Sequence, residues 1–142
     1  DWEEGIAVRP SLKLKSVRAA IRSKLTWVGR EPGSGARQCL DRLLADRAAP
    51  RHNARHHLGV VEAIQSGWAD DGVCVRLPSA EAGLDFVPVQ TEHYDICCSS
   101  SFSGDRRVQA FLNVVRTASY RRVLGDLPGY SSHETGSLCL VN

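Results

Sequence analysis

Apolar positions along the chain come in two rhythms, short unbroken runs and runs spaced for a helix. Glu3 to Arg9 (EEGIAVR) is an unbroken run closed by Pro10, which predicts a short buried strand. The following SLKLKSVRAAIRSK carries Leu12, Val17 and Ile21 and predicts a loop and then a short helix. Leu25 to Gly29 (LTWVG) is β-branched and aromatic and predicts a second strand. Cys39, Leu40, Leu43 and Leu44 then recur at helical spacing, and DRAAPRHN stops that helix. Leu58, Val61, Ile64 and Gln65 outline the next helix, which ends at Gly67. DGVCV, residues 71–75, predicts a strand of the continuous, buried kind. A short helix is expected from Pro78 to Gly83, then two strands, LDFVPVQ and HYDICCS, separated by a short turn. In DRRVQAFLNVVRTASYRRVLGDLPGY, Val108, Phe111, Leu112 and Val115 share one helical face. A second short helix closes at Pro128 and Gly129.

Strands and helices thus alternate, which predicts an α/β fold: a mixed sheet flanked by helices, with further helices at the C-terminal end. The 142 residues suffice for one domain with one modest core. No apolar run is long enough to span a bilayer. The net charge of +2 gives no support for a nucleic-acid surface, and the basic clusters at Arg22–Lys24, Arg106-Arg107 and Arg121-Arg122 read as solvated helix faces. Five cysteines form no Cys-x-x-Cys pair. Those in GVCV and YDICC read as small hydrophobes, which favours a reducing, cytoplasmic setting.

The stretch WVGREPGSGARQCLDRLL delivers a Gly-Ser elbow from a strand to a helix N-terminus. Backbone N–H groups and the positive end of the helix dipole converge at such a point, which suits a small anion. Ser34 is the expected N-cap. Gly33, Gly35 and Ala36 leave the backbone approachable, and Arg30 and Arg37 flank the loop as partners for a carboxylate or an oxyanion. The same residues also suit a plain strand-to-helix turn. Two nucleotide readings fail: no Lys follows a Gly near the elbow, and Gln38 stands where a dinucleotide loop needs its third Gly.

Other candidate chemistry is weaker. His52 and His56 have the spacing of two ligands on one helical face, yet Pro50 and Asn53 mark a loop and no acidic or Cys ligand lies nearby. Gly33-Ser34-Gly35 lacks the spacing of a nucleophile elbow, and the serines of SSSFSGD have no partnered base. No catalytic residue, metal site or cofactor is expected.

Five segments in order, EEGIAVRP, WVGREPGSGARQCLDRLL, HHLGVVEAIQSGWADDGVCV, AEAGLDFVPVQTEHYDICC and LPGYSSHETG, resemble the type 2 periplasmic-binding-protein-like ligand domain. This is the kind of domain fused to helix-turn-helix or excisionase-type regulators or to molybdopterin-biosynthesis proteins, and it is similar to tungstate- and molybdate-binding proteins. The resemblance puts Arg30, Gly33, Ser34, Gly35, Ala36 and Arg37 on the ligand loop and His57 at the start of the next helix. The chain departs from the family pattern twice: Ala36 stands where a Thr usually follows the Gly, and His56 replaces the Thr before His57.

The resemblance implies one lobe of a two-lobed site, the second lobe over about residues 5–98 with returning helices over about 104–130. EEGIAVR would enter that lobe and YDICC would leave it. With Asp1 as its first residue, the chain then reads as a fragment of a longer protein. The implied function is non-enzymatic sensing of a small anion, such as molybdate or tungstate, by a cytoplasmic transcriptional regulator. DNA would be contacted only through an attached domain, no membrane is involved, and a homodimer is expected. The alternatives are a molybdate-binding accessory module for molybdenum-cofactor biosynthesis and an interaction or dimerisation domain without ligand.

Overall fold

The computed structural model describes residues 1–45 and 47–139. A five-stranded sheet forms its centre, in the order β3-β2-β4-β1-β5. The strands are β1 (Trp2–Val8), β2 (Trp27–Arg30), β3 (Asn53–Ala54), β4 (Asp71–Val75) and β5 (Asp85–Glu92). β2 runs parallel to β3 and β4, while β1 is antiparallel to both β4 and β5, so the sheet is mixed as expected. The apolar runs of β1 and β4 are buried because both strands are interior and covered on both faces.

The helices are α1 (Val17–Arg22), α2 (Gly35–Leu44), α3 (His57–Gln65), α4 (Arg76–Glu81), α5 (Arg106–Val115) and α6 (Ala118–Gly125). Successive strand residues point to opposite faces, and the core divides accordingly. On one face α3 packs Val60, Val61 and Ile64 over Ala7, Val28 and Cys74. On the other, α2 packs Ala36, Cys39, Leu40 and Leu44 against Val73, and α1 sets Ala20 against Ile6, Val8 and Val87. Gly72 lets α3 sit close: a Cβ there would fall 2.5 Å from Val28 Cγ1 and 2.8 Å from Val60 Cγ1. Among the described residues no helix is long and apolar enough to cross a membrane.

Several expectations need correction. HYDICCS is not a strand: residues 93–99 carry no regular structure and Tyr94, Ile96, Cys97 and Cys98 are exposed. The reason is pairing. β5 runs on past a bulge to Glu92, where it meets Trp2 at the start of β1, so the sheet offers residues 93–99 no neighbour. Cys97 and Cys98 therefore do not act as buried hydrophobes. Conversely, a two-residue strand arises in the expected loop, where Asn53 and Ala54 pair with Gly29 and Arg30. Leu58 is exposed, and Val60 takes the inward place beside Val61 and Ile64. α4 starts at Arg76, which puts Pro78 in the first turn, where its missing N–H costs no helical bond. Of the predicted C-terminal face, Leu112 and Val115 are buried while Phe111 is exposed. That C-terminal segment returns to the sheet where Glu3 N–H donates to Gly129 O and Trp2 bridges Tyr130.

Candidate functional site

β2 and β4 both end at one edge of the sheet, with Arg30 and Val75, and antiparallel β1 begins there. The helices that follow β2 and β3 cover opposite faces, so the carboxyl ends of these strands lie between two helix N-termini. This is where open α/β sheets place ligands.

Arg30 is the centre of this edge. Its side chain is only 3% exposed, and a buried guanidinium needs partners for its nitrogens. Each nitrogen has one: Nε and Nη2 donate to the two carboxylate oxygens of Glu31, both at 3.0 Å, and Nη1 donates to His57 Nδ1 at 2.9 Å. Hydrogen bonding from Arg30 holds the Glu31 carboxyl below the usual carboxylate range. His57 is pushed down to about 4, first by burial and then by the Arg30 charge. The Val75 N–H reaches the same Nδ1 at 3.3 Å.

The elbow follows. Gly33 has φ of +86°, the left-handed conformation that favours glycine, and a Cβ at Gly33 or Gly35 would meet nothing within 4 Å. Ser34 caps α2 as expected: its Oγ accepts from Arg37 N–H at 3.1 Å and donates to Glu31 O at 3.0 Å. The N–H groups of Gly35 and Ala36, at the first turn of α2, have no partner among the described residues. Ala36 offers only this N–H, since its methyl packs in the core beside Cys39 and Val73. Arg37 is drawn inward and along its helix, donating to Arg30 O at 3.1 Å and to Asp41 at 2.8 Å. The second departure from the family pattern has a local explanation: His56 caps α3, its Nδ1 accepting from Gly59 N–H at 2.9 Å. It does the work of a capping hydroxyl.

The structure thus brings Arg30, Ser34, Arg37 and His57 into one connected group, with exposed Gly33 and Gly35 beside it and Ala36 buried under the first turn of α2. Two further residues, with no signal weighed in the sequence, shape the group. Glu31 saturates the Arg30 fork. Glu4, only 3% exposed, lies at the same edge opposite Val75, and its carboxylate accepts from Gln90 Nε2 at 2.9 Å. Burial raises the Glu4 carboxyl above its ordinary value. An acid inside the apolar run EEGIAV was the available signal for it.

His52 and His56 do not form a ligand pair, because His56 Nδ1 is committed to its cap and His52 stacks edge-on against Trp68. Asp1, His93 and Glu134 are the one group of three metal-type donors among the described residues, within 4.8 Å of one another. They are surface groups, and the 2.7 Å Asp1–His93 contact accounts for their proximity. A recess lined by Leu25, Trp27, Leu44, Pro50, His52 and Trp68 contains none of the expected site residues.

Comparison with known proteins agrees with this architecture. A family model described as a PBP superfamily domain matches residues 1–116. The chain is similar to an uncharacterized protein, YvgK, of Bacillus subtilis (strain 168), at 28% identity over 126 residues. That alignment covers 84% of this chain but 40% of the relative, so the chain spans about two fifths of that protein's length. No solved structure matches the chain. With most of its length matched by the family model and its sheet and helices arranged accordingly, the chain belongs to the PBP superfamily.

Proposed function

We propose that this small-ligand binding module takes a tetrahedral oxyanion, with molybdate and tungstate as the leading candidates, at the start of α2. It binds without catalysing a reaction. The observation that carries the reading is the pair of N–H groups at Gly35 and Ala36 without a partner among the described residues, at the end of the loop that follows the buried Arg30. A helix N-terminus supplies both donors and positive potential, and Arg supplies a forked donor suited to paired oxygens. The choice of molybdate or tungstate rests on the resemblance of the loop to tungstate- and molybdate-binding proteins. Calorimetry with molybdate, tungstate, sulfate and small carboxylates tests it: heat is expected with at least one dianion and not with the Arg30→Ala variant. No heat with any of them, in the wild type or in a Glu31→Gln variant that frees the Arg30 fork, overturns the oxyanion reading.

In this proposal the module belongs to a cytoplasmic regulator. Ligand capture between two lobes would change how an attached DNA-binding domain is presented, and this chain would touch no DNA itself. Self-association is part of the proposal. Tyr94, Ile96, Phe102, Val114 and Val123 are all exposed in the segment after β5, more large apolar side chains than a free surface ordinarily carries. A homodimer is expected in size-exclusion chromatography with light scattering, and a monomer at micromolar concentration would remove it. One observation favours a second reading, an interaction domain without ligand: the Arg30 fork is already filled by Glu31.

A further inference from the structure

We infer that Glu31 is a built-in competitor for the Arg30 fork, and that this competition decides which anions the site accepts. The inference rests on the oxyanion reading and makes it more specific. It starts from an occupied fork. All three guanidinium nitrogens of Arg30 are engaged, two of them by a single carboxylate in bidentate geometry. The Nε–Nη2 pair, which matches two oxygens side by side, is therefore filled, and a ligand that is to use this pair has to displace Glu31.

Which partner yields follows from how each is held. His57 Nδ1, at the partly buried start of α3, also accepts from Val75 N–H. The Glu31 carboxylate is about one-third exposed (34%) and bonds no other side chain among the described residues. Its backbone is fixed independently: Glu31 N–H donates to Ala54 O, and Glu31 O accepts from Ser34. The side chain can therefore swing out on its own rotatable bonds while the loop stays in place. Glu31 thus enters the fork from the solvent side, the side open to a ligand.

A tethered carboxylate competes at a high effective concentration. A free monocarboxylate offers Arg30 the same two oxygens and the same charge, so its exchange gains little at the fork. A tetrahedral dianion brings a second charge and further oxygens for the Gly35 and Ala36 N–H groups. Glu31 is also fully ionised at neutral pH, since Arg30 lowers its carboxyl. The result is a filter that rejects singly charged carboxylates and admits doubly charged oxyanions.

The test is calorimetry of the full chain and of Glu31→Gln with tungstate, sulfate and acetate. Tungstate affinity is expected to rise about tenfold or more in Glu31→Gln. Acetate affinity should rise by a larger factor, which narrows the gap between the two. Binding by Glu31→Gln alone would support the inference equally. If the wild type binds a dianion and Glu31→Gln binds it equally or more weakly, the inference is overturned and the oxyanion reading stands. If neither binds any anion and Arg30→Ala changes nothing, both fall. Should Glu31→Gln be unstable, thermal shift keeps the question open to refutation. Tungstate should then raise its midpoint by more than it raises that of the wild type, and an equal or smaller rise overturns the inference. Glu31→Asp, which keeps the charge on a shorter stem, should bind tungstate with an affinity between the two, and an affinity equal to that of the wild type counts against competition at the fork.

Discussion

Arg30 and His57 fix one another's chemistry: Nη1 of the arginine lies 2.9 Å from Nδ1 of the histidine. A guanidinium can only donate, so Nδ1 is an acceptor and the ring proton sits on Nε2. Val75 N–H at 3.3 Å confirms the assignment from the other side. The imidazole is therefore held neutral, in keeping with its pKa of about 4.

Replacing the ring with an apolar side chain leaves both donors unpaired in a buried place. His57→Leu should lower stability at pH 7.5 by about 1–3 kcal/mol, measured by urea denaturation. The folded pKa lies below the ordinary value of 6.5, so the fold favours the neutral ring. That contribution is complete above pH 6.5 and is lost as pH falls towards 4. The stability difference between the wild type and His57→Leu should therefore narrow as pH falls from 6.5 towards 4. A constant difference would mean that His57 does not titrate as described.

Ser34 has a capping role and a place in the proposed site, and the two can be separated. Ser34→Ala removes the acceptor for Arg37 N–H and should cost about 1 kcal/mol. Ser34→Asp restores a cap acceptor, since Asp ranks with Ser at this position, but adds a negative charge beside the open N–H groups. Its stability should match the wild type within about 0.5 kcal/mol, while oxyanion binding should fall at least tenfold. An Asp variant that binds as well as the wild type would show that the anion does not approach α2 at all.

Sequence patterning reads well where burial and local chemistry coincide. Ile6 to Val8 and Val73 to Val75 are unbroken apolar runs because interior strands bury both faces, and the Ser34 cap needed only its position before a helical pattern. It reads poorly where an element depends on a distant partner. ICC looks like a strand in isolation, but β5 has already used the available length of β1, so residues 93–99 remain unpaired. Asn53 and Ala54 became a strand for the converse reason, since β2 had a free edge. Glu31 gave no signal because adjacent residues in a strand point to opposite faces. Only the bend after Arg30 turns the two side chains together, and that bend is a property of the folded loop.

The cysteines divide by environment. Cys97, Cys98 and Cys139 are exposed, while Cys39 and Cys74 are buried. Burial pushes the Cys39 thiol up to about 12 and raises Cys74 as well, so neither supplies thiolate at neutral pH. With all five reduced, three thiols should react promptly with an aromatic disulfide reagent, and the other two only on denaturation. Four or five prompt equivalents would contradict the packing of α2 or α3 on the sheet.

Asp71 supplies the clearest pH signature. Its side chain is fully buried and neither carboxylate oxygen has a hydrogen-bond partner. Trp27, its register neighbour on β2, likewise carries a buried indole N–H without one. Burial, followed by the charge of Asp70, pushes the Asp71 carboxyl up to about 8 from its ordinary 3.8. The fold thus keeps the proton that the unfolded chain releases. The Asp71 contribution to stability falls as pH rises from 3.8 to about 8 and levels off beyond it. Above pH 6.5 the His57 contribution is constant, so the interval from 6.5 to 8 isolates Asp71. One proton changes stability by at most about 1.4 kcal/mol per pH unit, which gives a decline on the order of 2 kcal/mol over this interval. Asp71→Asn has no proton to keep and should be flat there, with its advantage over the wild type greatest at pH 8. Urea denaturation at three pH values across the interval is sufficient. Wild-type stability that is constant or rising from 6.5 to 8 would show that Asp71 is ionised in the fold and has found a partner or water.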